Sequence, residues 1–250
     1  MKSILSFLFL LFFSVAYAEN EKNLMDSANA AYAKNKFELA IKEYQQILEK
    51  GYESPELYYN LGNAYFKSKQ IAMAILNYEK AKKLSPADED IAFNLRLANV
   101  RLVDRIEPLP QLFFKSWWNN LLLSLSEKTW SLIYLGFIWL GFLGIVFYFL
   151  ARKRAAKQLG FSLCIAAFAL SFLFMFIALK SNALNSAHNE AVVLSATVSI
   201  KGSPSEQGTS LFTLHEGTKV TIQQNNGEWI EVKIPNGNRG WIKSSDLGVI

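Results

Sequence analysis

The sequence is poor in the residue types from which metal and redox sites are built. It has 250 residues but only two histidines and one cysteine, Cys164. A single cysteine cannot form a disulfide within the chain or carry out thiol–disulfide exchange by itself. His188 lies in a polar linker and His215 in a strand-like region, so no histidine cluster is expected. The sequence therefore predicts neither a metal nor a cofactor.

Catalytic motifs are missing as well. The chain contains no H-E-x-x-H, no G-x-S-x-G and no G-x-x-x-x-G-K-[ST] pattern. Gly136, Gly141 and Gly144 lie in an apolar run, where glycine favours close helix packing over phosphate binding. We therefore predict that the protein is not an enzyme.

The excess of positive over negative charge is nearly confined to one short segment. The formal net charge is +5. Lys2 and the four cations of residues 152–157, "RKRAAK", account for all of it. The rest of the chain is neutral overall, and this argues against a nucleic-acid partner, which needs a basic patch on a folded surface.

The apolar residues are concentrated in three blocks, of which the first begins the chain. Residues 1–18, "MKSILSFLFLLFFSVAYA", combine one early lysine, an apolar core and a small-residue end. This pattern predicts a secretory signal peptide. The alternative is an uncleaved anchor helix, for which the apolar core is short.

The other two blocks, residues 129–151 and 159–179, are free of charged side chains. Each is long enough to cross a bilayer as a helix. The loop between them, 152–158, holds the four cations, so the positive-inside rule places it in the cytoplasm. We therefore predict two transmembrane helices in the inner membrane, with both flanking regions in the periplasm. The lack of charge inside the spans weakens a third interpretation, a small transporter subunit.

A repeat with a period of 34 residues precedes the membrane blocks. Ala40 and Tyr44 recur as Ala74 and Tyr78, and "NLGNA" at 60–64 returns as "NLRLA" at 94–98. This pattern resembles the tetratricopeptide repeat, an all-α array in which small residues let paired helices approach closely. Residues 21–105 would hold two repeats and a capping helix, which has Arg96 in place of the small residue.

The resemblance to tetratricopeptide repeats implies a groove that binds protein segments. The groove positions fall on Met25, Asn29, Tyr32, Tyr59, Asn60, Asn63 and Phe66. A groove that clamps a carboxylate is not expected, because its basic positions fall on Met25, Asp90 and Asn94. The alternative is that the asparagines only bond neighbouring backbone.

Residues 106–128 are rich in aromatic side chains. Pro108 and Pro110 are expected to stop the preceding helix, and Trp117 and Trp118 follow in an amphipathic pattern. Tryptophan favours the boundary between water and lipid. We predict a helix that lies in this interface and contacts membrane lipid. The alternative is a soluble helix that packs both tryptophans under the repeat.

A polar linker, 180–190, leads to a strand-rich region, 191–250. Short β-branched runs alternate with turn residues, and "PNGN" at 235–238 predicts a hairpin. The region resembles bacterial SH3 domains, small all-β barrels that bind peptides or peptidoglycan. Phe212, Trp229 and Trp241 would form a ligand platform or, alternatively, pack the barrel.

The order of segments resembles the BatE-type proteins of bacterial aerotolerance operons, and "DRIEPLPQLFFKSWW" at 104–118 is the most specific part. The predicted fold class is a multidomain membrane protein with a tetratricopeptide array, two transmembrane helices and an SH3 barrel. The resemblance implies a scaffold that works with von Willebrand factor A-type Bat membrane proteins and a MoxR-type ATPase in oxidative-stress tolerance. The alternative function is an envelope sensor that reads peptidoglycan or a peptide through the SH3 domain.

Overall fold

The computed structural model describes residues 24–110, 112–185 and 189–250. The predicted signal peptide lies outside the described residues. The chain divides into two compact units. The first, here the repeat–β unit, comprises the described residues up to Leu84 together with 88–109 and 189–250. The second, here the hairpin unit, comprises 85–87 and the described residues from Pro110 to 185.

The N-terminal part of the repeat–β unit is a helical array. Its helices are α1 over residues 24–33, α2 (Phe37–Glu49), α3 (Pro55–Lys67), α4 (Ile71–Leu84) and α5 (Glu89–Asn99). Ser54 caps α3 by accepting a bond from the Leu57 N–H at 3.1 Å, and Pro55 occupies the first helical position. The turns after α1 and α3 each contain a residue with positive φ, Asn35 and Lys69, which lie 34 positions apart. The repeat therefore shows in the turns as well as in the helices.

Small residues set the distance between paired helices, as the repeat pattern predicts. Ala28, Ala40 and Ala74 have no exposed surface. A Cβ atom at Gly62 would lie 2.7 Å from the ring of Tyr78, too close for any side chain. Tyr44 and Tyr78 are each 1% exposed and fill the space beside these small residues. Large-against-small packing of this kind holds each helical pair together.

The C-terminal part of the unit, here the β domain, is an antiparallel sheet. Its strands are β1 (Glu190–Val193), β2 (Thr197–Lys201), β3 (Ser210–His215), β4 (Lys219–Asn226), β5 (Trp229–Lys233), β6 (Arg239–Lys243) and β7 (Leu247–Val249). They follow the order β3-β2-β6-β5-β4-β1-β7. The predicted hairpin joins β5 to β6, where Lys233 pairs with Arg239 and Gly237 adopts a φ of 93°. Such a positive φ favours glycine. Isoleucine and valine side chains, among them Ile200, Val232 and Ile242, form the core.

The β domain packs against α4 and shares a hydrophobic core with the repeats. Val192 and Ile250 belong to the same buried cluster as Leu76 and the array tyrosines. Leu76 lies so close to Gly248 that a Cβ there would meet its Cδ2 at 2.6 Å. The array therefore gains a packing partner on α4, and the two domains form one body.

An ion triad lies between the same two elements. The Lys219 Nζ atom is 2.9 Å from Glu79 on α4 and 2.8 Å from Glu190 on β1. Burial lowers the pKa of Lys219, but the two carboxylates outweigh it and raise the pKa above its usual value. Lys83 also donates to the main-chain oxygen of Ile250 at 2.9 Å. Polar contacts thus surround the apolar contact of α4 with the β domain.

The segment after α5 differs from the prediction. The helix ends at Asn99, well before Pro108, and residues 102–109 form a strap across the β domain. Leu102 covers Gly217, Ile106 packs on the β-domain core, and the Leu109 N–H donates to the Pro235 carbonyl at 3.1 Å. Tertiary contacts, and not the prolines, end the helix here.

The hairpin unit contains α6 (Phe113–Leu123), α7 (Glu127–Leu150) and α8 (Arg154–Asn185). α7 and α8 pack along their length, with the Phe137 and Phe174 rings stacked at 5.3 Å. A Cβ at Gly144 would lie 3.2 Å from Cys164 and one at Gly141 2.9 Å from the Phe168 ring, so these two glycines permit close packing as predicted. The prediction is wrong for Gly136, where a Cβ would meet nothing within 4 Å. Both helices are long and apolar enough to cross a membrane, and only 6% and 22% of their apolar windows are buried. Such exposure is unlike that of a core helix in a soluble protein.

The ends of α8 correct the predicted boundaries. The helix begins at Arg154 and continues to Asn185, so it includes most of the predicted 152–158 loop and the first half of the predicted 180–190 linker. The reason is that hydropathy marks where apolar side chains stop, whereas a helix continues until a breaking residue or a competing contact ends it. With these adjustments the predicted fold class is confirmed.

Candidate functional site

A ladder of hydrogen bonds connects the predicted groove residues. The Tyr44 hydroxyl donates to Asn29 Oδ1 at 2.6 Å, and the Tyr78 hydroxyl donates to Asn63 Oδ1 at 2.7 Å. These two pairs are related by the 34-residue period. Burial is the main cause that raises the pKa of both tyrosines, so both hydroxyls remain protonated donors.

A second set of bonds joins successive first helices. Asn60 Nδ2 donates to Asn29 Oδ1 at 3.2 Å, linking α3 to α1. One period later, Asn94 Nδ2 donates to Asn63 Oδ1 at 3.0 Å and to the Tyr59 hydroxyl at 2.8 Å, linking α5 to α3. The Oδ1 atoms of Asn29 and Asn63 each accept two bonds, which uses both lone pairs. The asparagine carbonyls therefore hold the array together, by bonding side chains and not the backbone.

The remaining groove residues present aromatic and apolar surface. Met25, Tyr32, Tyr59 and Phe66 are half-buried. The Tyr32 ring meets Phe37 edge-on at 5.5 Å, and the Arg101 guanidinium lies 5.9 Å from the Phe66 ring. The face that these side chains form, here the groove face, offers stacking and apolar contacts more than free amides.

Sequence reasoning missed part of the groove face on α5. Phe93, Leu97 and Val100 follow Tyr59, Asn63 and Phe66 by 34 residues, and all three are exposed. The signal that identifies these residues is their 34-residue spacing from the predicted groove residues, whereas the prediction of a capping helix rested on Arg96.

The two tryptophans of α6 have different surroundings. Trp118 packs with Leu122, Trp130 and Phe174, and the Trp130 indole N–H donates to the Leu122 carbonyl at 3.2 Å. Trp117 is 61% exposed. α6 is therefore attached to the α7–α8 hairpin by Trp118, while Trp117 and its neighbours Phe113 and Phe114 point away from these contacts.

The three aromatic residues proposed for the β domain do not form one platform. Phe212 shares its face of β3 with the buried Leu214 and packs on the core. Trp229 and Trp241 lie on the opposite side of the sheet from Ile230 and Ile242, because side chains alternate along a strand. They form an outer face where Lys243 lies 5.9 Å from the Trp229 ring.

A polar cluster that the sequence did not reveal lies where the strap meets the β domain. Asp104 accepts bonds from the His215 N–H, the His215 Nδ1 and the Thr218 hydroxyl, all at 2.7 Å. Burial raises the pKa of Asp104, but these hydrogen bonds together outweigh it and hold the pKa below its usual range. The cluster fixes the strap and does not resemble a metal site. Within residues 24–110, 112–185 and 189–250, no three His, Cys, Asp or Glu side chains lie close enough to hold a metal ion.

Comparison with protein families assigns the two parts of the repeat–β unit. Residues 25–89 match the tetratricopeptide repeat, and residues 196–248 match the bacterial SH3 domain. None of the curated proteins searched is similar enough to this chain to count as a relative. The chain thus combines a tetratricopeptide region with a bacterial SH3 domain. Domains of these two classes are typically non-catalytic and bind proteins or peptidoglycan.

Proposed function

We propose that this protein is a membrane-anchored adaptor that binds a protein partner through the groove face. One observation carries the proposal. The repeats and the SH3 domain form a single body, and both of its chain connections lead into a hairpin of two apolar helices. Such an arrangement attaches a binding surface to a membrane anchor through the chain on both sides of the hairpin.

The same observation supports a location for the two domains. Parts of one packed body lie in one compartment, so α7 and α8 must cross the membrane in opposite directions. Arg152, Lys153, Arg154 and Lys157 lie between the two apolar segments, and the positive-inside rule assigns such a cluster to the cytoplasm. Together with the predicted signal peptide, this supports an inner-membrane protein whose repeat–β unit is periplasmic.

The exposed aromatic residues of α6 support contact with lipid. Phe113, Phe114 and Trp117 are all at least 60% exposed, and they are continuous with the apolar hairpin through Trp118. Indole and phenyl rings are favoured at the depth of the headgroups. We assign α6 to the membrane interface.

The nature of the partner follows from the resemblance to BatE-type proteins. Those proteins work beside von Willebrand factor A-type membrane proteins in oxidative-stress tolerance. Partners that share the membrane are well suited to a groove held near it, because confinement raises their effective concentration.

The test is a mild chemical cross-link in native membranes, followed by purification of the protein and mass spectrometry of what is attached. Wild type would be compared with a Tyr32→Ser/Phe66→Ser variant. These side chains are half-buried on the groove face, and neither belongs to the hydrogen-bond ladder. We expect membrane proteins of the von Willebrand type in the wild-type sample and their loss in the variant.

Leu39→Ser provides the matched control, because Leu39 is an exposed apolar residue on α2 away from the groove positions. The control should retain all partners. Partners that persist in the groove variant would show that the groove face is not the binding surface.

The outer face of the β domain favours a second candidate function. Trp229, Trp241 and Lys243 lie on one face of β5 and β6, and tryptophan rings can stack on sugar rings or peptide side chains. If the protein binds peptidoglycan there, full-length protein in detergent should sediment with purified cell wall. Trp229→Ala/Trp241→Ala should abolish sedimentation, whereas no sedimentation of wild type would reject this candidate.

A further inference from the structure

We propose that α5 is the third helix of the groove face, after α1 and α3, and that it binds a partner segment with apolar side chains flanked by carboxylates. This inference rests on the proposed adaptor function and specifies the chemistry of its partner. A capping helix needs only to cover the end of the stack with polar side chains. The surface of α5 is not of that kind.

The register of α5 matches that of the other first helices. Asn94 binds Asn63 and Tyr59 on α3 in the way that Asn60 binds Asn29 on α1. Phe93, Leu97 and Val100 consequently continue the rows begun by the groove residues of α1 and α3. The groove face therefore extends over three helices.

One exposed side of α5, continued by its C-cap residue Val100, is apolar. Phe93, Leu97 and Val100 are 58%, 42% and 72% exposed, and their i, i+4, i+7 spacing places them along one side of the helix. Ile91, Leu95 and Ala98 form the buried side. A contiguous stripe of large exposed apolar side chains beside a binding groove marks an interaction surface.

The apolar stripe is not the surface on which another repeat helix would pack. In the second repeat, α4 packs against α3 where Gly62 leaves room for the Tyr78 ring. The equivalent position on α5 is Arg96, which is exposed and long. Its guanidinium lies 5.9 Å from the Phe93 ring, on the border of the stripe. The side of α5 that would receive a helix is thus polar, and the groove side is apolar.

The charged residues beside the stripe favour an acidic partner segment. Arg96 lies beside Phe93, Arg101 lies beside Phe66, and Lys67 ends α3, so cations border the stripe toward the C-terminal ends of α3 and α5. Glu89 and Asp90 begin α5 at its other end. A segment whose carboxylates meet the arginines while its apolar side chains cover the stripe satisfies both features. An apolar segment with basic flanks would be repelled at this edge.

The experiment compares two synthetic fluorescent peptides of about 18 residues, each an amphipathic helix with a leucine and phenylalanine face. One peptide carries glutamates beside that face, and its twin carries lysines at the same positions. Fluorescence anisotropy would be measured with the full-length protein in lipid nanodiscs, and empty nanodiscs would serve as the blank. We expect the acidic peptide to bind at least about tenfold more tightly than its twin.

Two variants test the surface. Phe93→Ser/Leu97→Ser/Val100→Ser should weaken the acidic peptide by about tenfold or more, and Arg96→Glu/Arg101→Glu should reverse the preference between the twins. Leu39→Ser should leave binding unchanged. Because all five altered residues are exposed or border the stripe, circular dichroism should be that of wild type.

Equal binding of the two peptides, binding equal to the blank, or binding unaffected by the triple serine variant would overturn the inference. The native cross-link separates this failure from failure of the adaptor function. If Tyr32→Ser/Phe66→Ser releases native partners while the α5 variants do not, the groove functions and α5 is only a cap. If no variant releases partners, the adaptor function fails as well.

Discussion

Individual side chains that were predicted to bind a ligand also stabilise the fold. Asn63 occupies a groove position, yet its carbonyl accepts bonds from Tyr78 and Asn94. A buried hydroxyl that loses its acceptor costs free energy, because water cannot replace the lost bond. The asparagines of this array therefore have a structural role through the hydrogen bonds that they accept. Partner binding by the groove face has to be tested at Tyr32 and Phe66 instead.

A double-mutant cycle measures how much the hydrogen bond between Asn63 and Tyr78 contributes to stability. Asn63→Leu leaves the Tyr78 hydroxyl, in a side chain 1% exposed, without its acceptor, and should destabilise the protein by about 1–3 kcal/mol. Tyr78→Phe alone should cost less, because Asn63 still accepts from Asn94. Adding Tyr78→Phe to Asn63→Leu should restore part of the stability, as measured by chemical denaturation. Strictly additive effects would show that the bond contributes little.

At the scale of elements, the strap over 102–109 is an unpaired segment that tertiary contacts alone hold. Its main polar anchor is Asp104, whose side chain is 14% exposed and accepts three bonds. Leu102 and Ile106 add apolar contacts on either side. An element without its own regular hydrogen bonds depends on such contacts to stay in place.

Asp104 should make stability fall in acid. Its pKa is lower in the folded than in the unfolded chain, so the unfolded chain binds more protons as the pH drops below about 4. The stabilisation is present above the unfolded-state pKa and is lost as the pH falls through the folded-state pKa. Asp104→Asn should destabilise the protein at neutral pH and flatten the dependence of the unfolding midpoint on pH.

The measurement is the denaturation midpoint of full-length protein in detergent between neutral pH and about pH 3. Glu216→Gln, which removes an exposed carboxylate next to His215, controls for the loss of one charge. An acid slope that is the same in Asp104→Asn and wild type would contradict the assignment.

In the molecule as a whole, two domains separated in sequence by a hairpin of two apolar helices fold as one body. The contact lies between α4 and strands β1 and β7, where Leu76 and Leu194 both pack beside Gly248. A two-repeat array is short for independent stability, and the SH3 domain supplies the neighbour that a third repeat would otherwise provide.

Cooperative unfolding of this body can be observed by hydrogen exchange. Leu76→Ala removes a side chain that is 7% exposed and should cost about 2–5 kcal/mol. We expect faster amide exchange in Glu190–Val193 and Leu247–Val249 as well as in α4. Leu39→Ala, at an exposed position, should change neither region. Faster exchange confined to α4 would show that the domains unfold separately.

The proposed topology can be tested with single cysteines in a Cys164→Ser background. Lys67→Cys reports on the repeats, Ser205→Cys on the β domain and Lys157→Cys on the start of α8, and all three positions are exposed. A membrane-impermeant maleimide should label the first two in spheroplasts and the third only after permeabilisation. Different labelling of the repeat and β-domain positions would contradict a shared compartment.

Features that depend on a local pattern were predictable from the amino-acid sequence. The 34-residue spacing of small and aromatic residues predicted the helical pairs, and charge-free runs predicted two helices long enough for a membrane. The turn residues at 235–238 predicted the β5–β6 hairpin. Each of these signals is contained within one segment, so the segment's own composition was sufficient.

Contacts between segments that are distant in sequence could not be predicted in this way. Nothing near Leu76 indicates that it contacts Gly248, 172 positions later, and nothing near Asp104 indicates His215. The end of α5, the shared core and the bonding of the asparagines all depend on such contacts. The shared core forms because α4 buries most of its surface, including a side that faces the β domain. The β domain that covers this side follows the apolar hairpin in sequence, so no local pattern near α4 indicates the contact.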